Sequence, residues 1–95
     1  MSNDINLIAF YTRLTTRQQQ VLQLVVVGYT NREIAELLYI EPSVVAGHLT
    51  NLYDLLHNHL ATDPANRPKR YTVIRLFATF FDQYPELAQY ELAAI

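Results

Sequence analysis

The chain has 95 residues, 51% of them hydrophobic and 17% charged, with no cysteine. That length supports one small domain, since a core divided between two would starve both, and the composition excludes a disulfide scaffold. Seven Lys and Arg stand against nine Asp and Glu, with a pI near 5.8, which excludes a protein that coats nucleic acid by bulk charge.

No apolar run approaches the roughly 20 residues of a bilayer-spanning helix, and the start MSNDINLIAF lacks the basic stretch and small-residue cleavage site of a signal peptide. A cytoplasmic protein with no membrane partner is the expectation. Charge is laid out in blocks. Arg13, Arg17 and Arg32 lie in the first third, and Arg67, Lys69, Arg70 and Arg75 form a basic run. Between Glu33 and Asn66 there is no Lys or Arg, only Glu33, Glu36, Glu41, Asp54 and Asp63. Any nucleic-acid role must therefore come from local patches.

With two glycines and apolar residues at three- and four-residue spacing, the chain reads as helical almost throughout. A short first helix is expected over Ile5 to Thr12, with Asp4 as cap and Ile5, Ile8 and Ala9 on its inner face. Thr15 and Gln18 have the spacing of a capping box, and Val21, Leu22, Val25 and Val26 supply the stripe of the helix they open. Gly28 ends it as a left-handed residue. Thr30 and Glu33 repeat the capping box, and Ile34, Leu37 and Leu38 point inward from a second, short helix. Tyr39, Ile40 and Glu41 turn the chain. Pro42 suits the first position of the next helix, which is expected to run to about Leu56 with Val45, Leu49, Leu52 and Leu56 buried.

HNHLATDPANRP reads as a loop by composition. Asn66 to Lys69 is expected to open a further helix, apolar on more than one face: Val73, Phe77, Phe80 and Tyr84 on one side, Ile74, Ala78 and Phe81 beside it. One stripe closes the core, and the other needs a partner or a tail helix over Pro85 to Ala93.

From Leu14 to Tyr53 the residues resemble the helix-turn-helix domain of the LuxR/GerE family of bacterial transcription regulators. The resemblance is carried by Leu14-Thr15-x-Arg17, Val21-Leu22, Gly28-x-Thr30-Asn31-Arg32-Glu33-Ile34-Ala35 and His48-Leu49, followed by Asn51-Leu52-Tyr53, without a gap. Asn66-Arg67 is similar to the Asn-Arg before the family's last helix. The resemblance implies an all-α, four- to five-helix domain over residues 1–95, with its core at 14–80 and a C-terminal extension at 81–95 that lengthens the last helix. It further implies a small regulator that binds duplex DNA as a homodimer, with the helix from Pro42 in the major groove. Phosphates fall to Arg17, Thr30, Asn31 and Arg32 and to the basic run Arg67, Lys69 and Arg70. The groove face is Ser43, Ala46, Gly47, Thr50 and Asn51, and the dimer interface is Val73, Phe77, Phe80, Phe81 and Tyr84.

That groove face departs from the family's usual polar and basic residues. It is small or acidic, with Asp54 at its end, and carries no Arg or Lys for a bidentate guanine contact. Two readings follow. In one, Ala46, Gly47 and Thr50 allow close approach and thymine methyl contact, while Ser43 or Asn51 supplies a hydrogen bond. In the other, the 42–56 helix with Val44 and Leu55 meets a protein partner.

Enzyme chemistry has little to stand on. His48 falls in the family motif as a structural or phosphate-facing residue, and His57-Asn58-His59 sits on a helix end where residues two apart face different ways. Zinc at His57, His59 and Asp63 lacks a supporting cysteine. No nucleophile, phosphate loop or carboxylate pair stands at a recognisable spacing. The expectation is a non-enzyme with no metal and no cofactor.

Overall fold

The computed structural model describes residues 3–60 and 64–88. Among the described residues five α-helices follow one another: α1 (Asn3–Arg13), α2 (Thr16–Val27), α3 (Asn31–Leu38), α4 (Pro42–Leu60) and α5 (Arg70–Gln83). Single 3-10 turns occupy Pro64–Asn66 and Pro85–Ala88, and no strand occurs among the described residues.

Local chemistry sets most helix ends. Thr15 Oγ1 accepts from the Gln18 N–H while Gln18 Oε1 accepts from the Thr15 N–H, and Thr30 with Glu33 repeats the exchange, so both capping boxes form. α2 closes at Gly28, φ 117°, with the Gly28 and Tyr29 N–H groups bonded back to Val25 and Leu24 carbonyls. α3 closes the same way, but the left-handed position is taken by Tyr39, φ 59°, and the Ile40 N–H reaches the Ala35 carbonyl. A left-handed L-residue costs roughly 1–2 kcal/mol, and the Tyr39 ring, 94% exposed, gains almost nothing within the fold in return. Glycine would remove that cost while adding about 0.4–1 kcal/mol of unfolded-chain freedom. Tyr39→Gly is therefore expected to raise stability by up to about 1 kcal/mol in urea unfolding; a clear loss would mean that the ring holds something in place.

The core is one cluster running from Leu7 to Phe80. α2 passes through its middle against α3, α4 and α5, and buries Val21, Leu22, Gln23, Leu24 and Val25 in succession. α4 buries Val45, Leu49, Leu52 and Leu56, the stripe expected from its spacing. α1 departs from expectation. It already contains Asp4, which is thus a helical residue and not the cap; among the side chains described, from Leu7 on, Leu7, Phe10 and Tyr11 are buried and Ile8 and Ala9 half-buried, while the side chain of Ile5 lies outside those described. The two aromatic rings bring more apolar area than Ile8 and Ala9 and find ring partners on α5, so they set the face. Phe10 lies 5.9 Å from Phe77, and Tyr11 lies 5.8 Å from Phe80 and 5.4 Å from Phe81.

Two further boundaries move. α4 continues to Leu60, one turn beyond the expected end at Leu56, because Leu60 packs on the core and the His59 ring lies 5.4 Å from Phe10. α5 starts at Arg70 and not within Asn66 to Lys69: Pro68 is buried and biases Arg67 away from helix, and Lys69 is extended as N-cap, its N–H donating to Thr72 Oγ1 at 3.2 Å. Of the expected tail helix over Pro85 to Ala93, residues 85–88 form a 3-10 turn and 89–93 lie outside the described residues.

Candidate nucleic-acid interface

α3, the turn at Tyr39 to Glu41 and α4 form two helices joined by a tight connection. The Glu41 carbonyl accepts from the Val44 and Val45 N–H groups, so α4 begins sharply behind Pro42. Because the opposite side of α4 is spent on the core, Ser43, Ala46, Gly47, Thr50 and Asn51 all remain exposed, and the helical repeat groups them on the outward side. Val44 and Leu55 are also exposed there. The Thr50 hydroxyl donates to the Ala46 carbonyl at 3.1 Å. A Cβ added at Gly47 would meet nothing within 4 Å, so nothing inside the fold calls for glycine at a mid-helix position where it costs about 1 kcal/mol.

At the start of α3, Thr30 is exposed and its Oγ1 is used as cap acceptor, leaving the hydroxyl hydrogen to donate outward. Arg32 is exposed, Asn31 and Arg17 are half-buried, and His48 is half-buried on α4. The basic run after the loop is partly committed to the protein itself. Arg67 pairs with Asp54, which neutralises the acidic residue at the end of the groove face. Arg70, half-buried, donates to Asn31 Oδ1 at 2.7 Å and to the Tyr29 carbonyl at 2.5 Å. Burial pushes the Tyr53 phenol above its usual value, and the nearby positive charge of Arg70 draws it part of the way back. Lys69 is exposed. Sequence reasoning missed both arginine contacts, whose partners are 13 and 39 residues away with no local signal.

The expected dimer interface needs correction. Val73, Phe77 and Phe80 are 2%, 0% and 1% exposed, so they lie in the chain's own core, on the helix that packs against α2, with Phe77 and Phe80 also meeting the Phe10 and Tyr11 rings of α1. Phe81 and Tyr84 are half-buried, packed against Tyr11 and Phe80. The outward residues of α5 are Tyr71, Arg75, Ala78, Thr79, Asp82 and Gln83.

His57 and His59 are half-buried and Asp63 lies outside the described residues. Among the described residues no three His, Asp or Glu side chains gather as metal ligands, and no helix is long and apolar enough to cross a membrane.

Residues 12–63, more than half of the chain, match the family described as "Bacterial regulatory proteins, luxR family". The chain belongs to this family. The LuxR-family match takes in α2, α3 and α4, whereas α5 and nearly all of α1 lie outside it. The chain is also similar to the "Transcriptional regulatory protein DegU" of Brevibacillus brevis, 49% identical over 39 residues. That stretch is 41% of this LuxR-family chain and 16% of the relative, so the two share a small part of the relative's length. No solved structure gives a significant match.

Proposed function

We propose that the chain is a transcription regulator that binds duplex DNA, with α4 entering the major groove and the start of α3 gripping phosphates. The observation that carries this reading is the outward face of α4. Five exposed small or polar residues follow directly on the helix-turn-helix corner, and one of them is a glycine that the fold does not need. A helix surface without bulk lets the backbone approach base edges closely. Because Asp54 is paired with Arg67, that face presents less negative charge than its sequence suggests. Arg17, Thr30, Asn31 and Arg32 serve the phosphates in this reading. We further propose a cytoplasmic homodimer built as a single domain over residues 1–95. Its α5 contribution would have to come from outward residues such as Tyr71 and Ala78, since the inner stripe is already used.

Fluorescence anisotropy with a labelled duplex tests the reading. Binding at roughly 1–100 µM is expected for a duplex of unselected sequence, weakening linearly in log Kd against log salt. Arg32→Ala is expected to lower that slope by about one. An unchanged slope would remove Arg32 from the site, and absence of binding at low salt by folded protein would end the DNA reading. The exposed Tyr39, Val44 and Leu55, on a stretch without cations, would then favour a protein partner on the 42–56 helix.

A further inference from the structure

Arg70 stands in the first turn of α5, where a cation opposes the helix dipole, so its placement does not serve that helix. Its guanidinium instead reaches back 39 and 41 residues along the chain, to Asn31 Oδ1 and the Tyr29 carbonyl, and holds the junction between α2 and α3. A guanidinium has donors only, so it accepts the oxygen end of the Asn31 amide and rejects the nitrogen end. The planar amide then turns Nδ2 away from Arg70. No described residue accepts from that nitrogen. It sits in the first turn of α3 between exposed Thr30 and exposed Arg32.

We infer that Arg70 is a positioning residue for DNA: by fixing Asn31 Oδ1 it holds the two Asn31 Nδ2 hydrogens toward a phosphodiester oxygen at the start of α3. The inference rests on the DNA-binding reading above. Without Arg70, the Asn31 amide would be free to rotate and offer its oxygen to the phosphate, an arrangement in which two acceptors face each other. With Arg70, only the donor end faces outward. The ordering is thus completed by α5, which lies outside the part of the chain that carries the family match.

The test is a double-mutant cycle on the whole chain, read by anisotropy with a fluorescein-labelled duplex of mixed sequence, since phosphate contacts do not depend on base sequence. Arg70→Lys keeps the charge but not the two-pronged contact, and is expected to weaken binding about 3–10-fold with an unchanged salt slope. Asn31→Ala is expected to weaken it about tenfold, and the double variant no further than Asn31→Ala alone. Folding of each variant is followed by circular dichroism. Wild-type affinity in folded Arg70→Lys, or losses that multiply in the double variant, would overturn the inference while leaving the DNA reading intact. Failure of the unaltered chain to bind any duplex would remove both. A second readout needs neither DNA nor a variant: the Asn31 side-chain amide should show the relaxation of an ordered group by NMR, and rapid averaging there would also overturn the inference, even if Arg70→Lys does not fold.

Discussion

Replacing Phe77 by Ala should cost about 3–5 kcal/mol, the largest single loss expected in this chain. Phe77 is fully buried, and its ring lies 5.3 Å from Phe80, 5.9 Å from Phe10 and 6.0 Å from Phe81. Truncation would empty a space walled by three rings on two helices, which cannot all collapse into it. A small domain has about 5–15 kcal/mol in total, so the variant should unfold at much lower urea. The measurement also decides between two roles for the inner stripe of α5. A core residue lowers the urea midpoint by the same amount at every protein concentration, whereas a residue in a dimer seam produces a loss that depends on concentration. A concentration-dependent loss, or one below about 1 kcal/mol, would assign the inner stripe of α5 to a dimer seam and not to the core.

Tyr11→Phe should follow with about 2–4 kcal/mol, although it removes a single oxygen. The Tyr11 hydroxyl donates to the Leu87 carbonyl at 3.0 Å and accepts from Gln23 Nε2 at 3.0 Å. Gln23 is 1% exposed in the middle of α2, and its Oε1 has no hydrogen-bond partner among the described residues. Without the hydroxyl, Gln23 Nε2 would be deprived of its acceptor too, and desolvation of the buried amide would be uncompensated at both ends. Gln23→Met removes the buried polar group at similar size and is expected to be neutral or stabilising. On that background Tyr11→Phe still loses the bond to Leu87 but orphans no amide, and should cost about 1 kcal/mol. Equal costs in the two backgrounds, measured by urea unfolding, would show that the Tyr11 and Gln23 side chains act independently.

The parts of this fold that were legible in the sequence are those decided within four residues. Thr15 with Gln18, Thr30 with Glu33, Gly28 and Pro42 each act on their own turn of helix, and the Val45, Leu49, Leu52, Leu56 stripe follows from helical geometry alone. The grouping of Ser43, Ala46, Gly47, Thr50 and Asn51 on an outward face is legible for the same reason. What was illegible depends on partners far along the chain. In INLIAFY almost every residue is apolar, so partners far along the chain, the rings of α5 with His59 and Gln23, decide that Phe10 and Tyr11 turn inward. The inner stripe of α5 resembled a seam because nothing in it shows that α2 and the α1 rings cover it. Asp54 looked like a repulsive charge, and Arg67 and Arg70 like free ones, because no spacing rule joins them to Arg67, Asp54 and Asn31 respectively.

The bond from Arg70 to Asn31 also bears on when the start of α3 becomes ordered during synthesis. In a chain made from its N-terminus the capping contacts of α2 and α3 are all present in sequence while α5 is still inside the ribosome. The first turn of α3 would then lack its guanidinium, because the closing residue arrives 39 positions later. A nascent or truncated chain ending before Arg70 would lack both the α5 side of the core and the group that orders Asn31. Ordering of Asn31 at the start of α3 is thereby tied to the synthesis and docking of α5.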